Sequence, residues 1–118
     1  MFKLLNLTKD NLIAIKIDGK VRKEDYQMIT PLINGRVKDY GKIRMYIEIE
    51  SIEGIEAAAL KEDLKTYLRH FDHMEKIAVV GHTKWQKLWS KLASPFVSGE
   101  IKYYDEDEIT DAVRWILA

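Results

Sequence analysis

The chain has 118 residues, 47% hydrophobic and 32% charged, which fits one globular domain with a single core and excludes a disordered chain. Nineteen Lys and Arg are matched by 19 Asp and Glu, so no global field draws it to nucleic acid, and any electrostatic preference is local. The absence of cysteine excludes a disulfide framework, a thiol nucleophile and a thiolate-bound metal, and is compatible with a reducing cytoplasm, the expected compartment.

Residues 2–7 are short and apolar and run into the polar turn Thr8-Lys9-Asp10-Asn11. Residues 12–17 follow, rich in branched side chains and closed by Asp18-Gly19. This pattern predicts two strands in an antiparallel hairpin. Tyr26, Ile29, Ile33, Val37 and Tyr40 then recur at helical spacing up to Gly41. Pro31 interrupts that period, so either one helix kinks there or a second begins with Thr30 as its N-cap; a kinked single helix is preferred. Residues 43–49 alternate, with Met45, Ile47 and Ile49 on one face and Arg44, Tyr46 and Glu48 on the other. After a loop over 50–54, the apolar stripe Ala57, Leu60, Leu64, Tyr67, Leu68 and Phe71 predicts a second helix. Residues 76–81 form a continuous apolar run, as a strand covered on both faces requires.

Lys84-Trp85-Gln86-Lys87-Leu88-Trp89-Ser90-Lys91-Leu92 predicts a third helix, stopped at Ser94-Pro95. Residues 101–104 read as a last strand, and Asp105 is placed to cap a final helix holding Val113, Trp115, Ile116 and Leu117. The order β-β-α-β-α-β-α-β-α implies a single-domain α/β fold with a mixed, mainly parallel sheet. The first residues lack the long apolar run of a signal peptide, and no run approaches the ~20 residues that span a bilayer, so any membrane contact is expected to be peripheral.

Gly19, Glu24-Asp25-Tyr26, Pro31, Gly41-Lys42-Ile43-Arg44, Gly54, Asp63, the strand ending at Gly81, Trp85, Ala112 and Trp115, taken with the order of elements, resemble the SpoIIAA-like family, a branch of the STAS domains. The resemblance covers nearly the whole chain. Such domains are similar in architecture to the CRAL-TRIO lipid-carrying domains, which implies an apolar ligand or a membrane role. Members of the anti-sigma-factor-antagonist type carry a phosphorylatable serine at the start of the helix after the third strand. The comparable positions here are Ala57 and Ala58, without a hydroxyl, and Ser51 lies earlier, so the phosphoswitch is not expected.

The candidate sites follow from residue chemistry. Trp85, Leu88, Trp89 and Leu92 share one helical face, with Lys84, Lys87 and Lys91 on its flank and Phe96 just beyond. Indoles beside ammonium groups suit a lipid or membrane interface, and the Leu60, Leu64, Tyr67 and Leu68 face could line an apolar pocket beneath a mobile helix. The same pattern also describes a helix packed on the sheet with solvated lysines, or a hot spot for a protein partner or a second copy. Gly81, His82 and Thr83 sit where a parallel strand hands over to a helix, a position that can hold an anion or simply turn and cap the chain. His70 and His73 are too few for a structural zinc site. No phosphate loop, HExxH or GxSxG motif is present, so neither an enzyme nor a cofactor is expected.

Overall fold

The computed structural model describes residues 1–51, 53–55, 73–81 and 99–118. Strands β1 (Phe2–Leu4), β2 (Leu12–Ile17), β3 (Lys20–Val21), β4 (Ile43–Ile49), β5 (Gly54–Ile55), β6 (Met74–Val80) and β7 (Glu100–Tyr104) are joined by helices α1 (Lys23–Tyr40) and α2 (Ile109–Leu117) among the described residues. A 3-10 turn, Glu106–Glu108, leads into α2. The helices expected over 56–71 and 84–92 lie outside the described residues.

Five strands form one sheet in the order β1-β2-β4-β6-β7. β1 is antiparallel to β2, and β2, β4, β6 and β7 run parallel, as the alternation of strand and helix requires. The hairpin closes through Asp10-Asn11, with Lys9 and Leu12 exchanging backbone bonds of 3.0 and 2.9 Å. Thr8 clamps the connection by both accepting from the Ala14 N–H (2.9 Å) and donating to its carbonyl (3.1 Å). β1 is shorter than the pattern over 2–7 suggested, because this turn takes up residues 5–8.

Side chains alternate across the sheet. Ile13, Ile15, Ile43, Met45, Ile77 and Val79 pack with Tyr26, Ile29 and Ile33 of α1. Leu12, Ala14, Tyr46, Ala78 and Val80 pack with Ala112 and Ile116 of α2. α1 passes through Pro31 as one helix of 18 residues. Its buried stripe continues on both sides of the proline, which offsets the lost hydrogen bond. Gly41, at φ 78°, ends it by donating to the Val37 carbonyl at 2.8 Å. At its other end Asp25 accepts from the N–H of Arg22 (2.7 Å) and of Phe2 (2.9 Å), tying the helix start to β1.

Two features were not visible in the hydrophobic pattern. β3 and β5 form a separate two-residue parallel ladder, Lys20 with Gly54 and Val21 with Ile55, where a plain loop was expected. β6 begins two residues early, and its register with β4 shifts, Ile43 facing Met74 but Arg44 facing Lys76, so Glu75 is an inserted residue. Gly99 lies against that bulge, and a Cβ there would collide with the Glu75 main chain.

Candidate functional site

In an open α/β sheet the polar ends of the central strands cannot be covered by the helices that pack its faces, so ligands gather at the carboxyl end. Here β2, β4 and β6 end side by side, and their last residues, with the turn before α2, line a cavity of about 140 Å³. Lys16, Glu48, Glu50, Gly81, Glu106 and Ile109 contribute to it.

Each polar group arrives there by strand geometry. Lys16 and Glu48 are register partners in the β2–β4 ladder. The Lys16 ammonium pairs with Glu50 at 2.9 Å, and this hydrogen bond and charge raise its pKa above the ordinary lysine value. Tyr46, one turn of the pleat before Glu48, is 1% exposed and donates its hydroxyl to Glu48 Oε1 at 2.7 Å. Burial, and then Glu48, push the Tyr46 hydroxyl far above the usual tyrosine value. Three carboxylates against one ammonium make the described lining acidic.

Beside the cavity, Ser51 joins the connections leaving β2 and β4. Its hydroxyl donates to Asp18 Oδ1 (2.8 Å) and accepts the Gly19 N–H (2.9 Å). The Glu53 N–H returns to the Gly19 carbonyl at 3.0 Å. Gly19 holds φ 74°, the left-handed region that its lack of a Cβ permits. A phosphoryl group on Ser51 would stand among Asp18, Glu50 and Glu53, where repulsion opposes it.

Gly81 lines the cavity. Its N–H donates to the Tyr104 carbonyl (3.1 Å), and its own carbonyl accepts from the Tyr103 hydroxyl (2.5 Å). His82 and Thr83, the other two residues of the expected anion turn, lie outside the described residues. So do Trp85, Leu88, Trp89, Leu92, Phe96, Lys84, Lys87 and Lys91, and the facing Leu60, Leu64, Tyr67 and Leu68. His73 makes a contact of 3.0 Å between Nδ1 and the Gly41 carbonyl. Carboxylate oxygens of Asp105, Asp107 and Glu108 lie within 4.8 Å of one another, but all three residues are exposed. Glu108 accepts the Asp105 N–H at 3.0 Å, which closes the 3-10 turn and explains the cluster as a cap.

Lys16 and Glu106 were missed in the sequence. The available signal was their position at strand and turn ends on one edge; what hid it was that 90 residues separate them. At the other end of α2, Arg44 Nη1 donates to the Ile116 carbonyl (2.8 Å) and Lys76 Nζ to the Trp115 carbonyl (3.3 Å). Lys76 and Lys102 also stand 5.2 and 4.9 Å from the Trp115 ring centre. Cations here match the negative pole of the helix.

Fold and edge together define a STAS-type module. Residues 12–117 match the family model SpoIIAA-like, and the chain belongs to that family. An uncharacterized protein from Shewanella loihica PV-4 with a SpoIIAA-like fold is 30% identical, with a TM-score of 0.76 over 98% of this chain and 92% of that one. The unphosphorylated anti-sigma factor antagonist SpoIIAA aligns with a TM-score of 0.59 at 11% identity, covering 97% of this chain and 98% of its own. The phosphorylated form of the Bacillus cell fate determinant SpoIIAA gives 0.59 at 14%, over 97% and 100%. These last two show the shared fold. A search of curated proteins finds no match.

Proposed function

We propose that this protein is a non-catalytic recognition module that binds a partner protein across the carboxyl edge of its sheet. The observation that carries this reading is the cavity there. At about 140 Å³ it is far smaller than the roughly 300–1,000 Å³ of sites that enclose small molecules, and its lining sets Lys16, Glu48, Glu50 and Glu106 beside the apolar Ile49, Val80 and Ile109. Such a surface suits docking rather than engulfing, and its three carboxylates favour a partner that offers Lys or Arg. Among the described residues, several groups able to act as acid or base are engaged with one another: Tyr46 with Glu48, Lys16 with Glu50, Ser51 with Asp18. One solved structure that shares the fold is an anti-sigma factor antagonist. A photo-crosslinker at Glu50 is expected to capture a cellular partner, and Glu48→Lys to abolish capture. Equal capture from Lys42, at the opposite end of β4, would defeat the proposal.

A second reading rests on the sequence of residues 84–92. The shared face of Trp85, Leu88, Trp89 and Leu92, with three flanking lysines, suits peripheral attachment to an anionic membrane or capture of an apolar ligand, as the CRAL-TRIO resemblance implies. Each lysine near a charged surface contributes about 1 kcal/mol. Among described residues no helix is long and apolar enough to cross a membrane. Tryptophan emission of a Trp115→Phe variant should shift to the blue on anionic vesicles and return at high salt. Unchanged partitioning of Trp89→Ala and Lys87→Glu variants would exclude it.

A further inference from the structure

We infer that β7 is a self-recognition edge, through which two copies of this chain join their sheets by antiparallel pairing about a two-fold axis at Ile101. The two ends of the sheet differ. At the β1 end the Phe2 N–H is already taken by the Asp25 carboxylate (2.9 Å), and the strand is only three residues long. β7 has five residues and, among the described residues, pairs with β6 alone.

The direction of its peptide groups follows from one hydrogen bond. Tyr104 offers its carbonyl to the Gly81 N–H, on the β6 side. Peptide groups alternate along a strand, so those of Lys102 and Glu100 also face β6, and those of Ile101 face away. In an antiparallel pair about Ile101, each Ile101 gives one N–H and one carbonyl to its counterpart. That is the closely bonded position such a ladder requires.

Charge then selects this register over its neighbours. Glu100 and Lys102 are both exposed. With Ile101 opposite Ile101, each Glu100 faces the Lys102 of the second copy, giving two opposed charge pairs per dimer. Moving the axis to Lys102 sets two ammonium groups against each other. Moving it to Tyr103 leaves Glu100 unmatched and puts Lys102 against Tyr104. A two-fold axis demands a self-complementary patch, and Glu100-Ile101-Lys102 is one. Against an unrelated apolar strand the same exposed edge lysine is a deterrent, so the triplet admits its own copy and resists others.

Sedimentation velocity of the full chain over a concentration series tests this. The expected result is a reversible monomer–dimer equilibrium. Glu100→Lys sets like charges opposite each other twice and should weaken dimerisation about tenfold, with Lys102→Glu doing the same. The double variant Glu100→Lys/Lys102→Glu exchanges the charges and should restore the original constant. Because Lys102 also lies over Trp115, the Glu100→Lys variant, which keeps that contact, separates dimerisation from folding. A monomer at every concentration up to millimolar overturns the inference and leaves the edge to a strand of some other protein. A dimer that ignores Glu100→Lys, or that the double variant fails to restore, overturns it by placing the interface elsewhere.

Discussion

Replacing Tyr46 with Phe removes a single oxygen from beneath α2, and the resulting penalty is expected to vanish at high pH. Tyr46 is 1% exposed and its hydroxyl donates to Glu48. A hydrogen bond to a charged acceptor contributes about 1.5–3 kcal/mol, but half-buried Glu48 regains water when the hydroxyl is gone, leaving a cost of about 1 kcal/mol at pH 7. Burial and the Glu48 carboxylate hold the tyrosine proton far more tightly in the folded state than in the unfolded chain. Stability from a raised pKa is fully present below the unfolded value and is lost as pH climbs from there toward the folded one. At pH 11, one unit past the unfolded value near 10, ionising this tyrosine lowers the unfolded state by about 1.4 kcal/mol. The Tyr46→Phe variant has no such proton. Its deficit of about 1 kcal/mol at pH 7 should therefore fall to about zero, or reverse slightly, at pH 11. Urea unfolding of both proteins, followed by far-ultraviolet circular dichroism, measures it at each pH. Lys16, Tyr103 and Tyr104, whose pKa values are also raised, titrate in both proteins and cancel in the difference. A difference that stays constant between the two pH values would refute the buried, hydrogen-bonded phenol.

Gly99→Ala should lower the thermal midpoint, because the added Cβ meets main chain at Glu75 rather than a yielding side chain; about 2 kcal/mol is expected. Arg44→Gln should cost about 1–2 kcal/mol in urea unfolding, through loss of the charged cap on the Ile116 carbonyl. Since Glu75 is 42% exposed, its pairing with Arg44 adds little, so the loss should persist in concentrated salt. Ser51→Ala frees the Gly19 N–H, and hydrogen exchange of that amide should accelerate about tenfold while the β4 core amides stay protected.

How far the fold could be read from the sequence depended on how local the cause was. The strand faces of Met45 and Ile47 against Arg44 and Tyr46 followed from alternation alone, and the helix stripe Tyr26, Ile29, Ile33 from a period of 3.6. Gly41 marked its own helix end. Pairings between distant segments left no such trace: the β3–β5 ladder needs only two residues from each side, and neither has a periodic signature. The inserted Glu75 was invisible for the same reason, since a bulge is a property of two strands and not of one. In the site, the end of β6 was legible because Gly81 closes the continuous buried run. Lys16, Glu48 and Glu106 read as ordinary surface charges until the strand order set them on one edge. Tyr46 was placed on the polar face by its neighbours Arg44 and Glu48; the structure shows that face to be covered by α2, with tyrosine the only one of the three that can be fully buried and still reach a partner.

The carboxyl edge also bears on how this member of the family could be controlled. A phosphate forms new ordering contacts where it meets cations or open helix N–H groups, and beside carboxylates it acts by repulsion instead. The serine hydroxyl of the described edge, Ser51, is tied to Asp18 and Gly19 and flanked by Glu50 and Glu53. Its geometric role is to lock two strand-to-strand connections together, one leaving β2 and the other leaving β4. If a partner docks there as proposed, electrostatic steering is a means of selecting it, because Glu48 and Glu50 are placed by β4 and Glu106 by the 3-10 turn before any partner arrives. Preset charges act chiefly on association rate, and their effect is screened over about 8 Å at physiological ionic strength. Binding at this edge is accordingly expected to speed up as salt is lowered, and a Glu48→Gln variant to flatten that dependence without slowing dissociation of the complex in proportion.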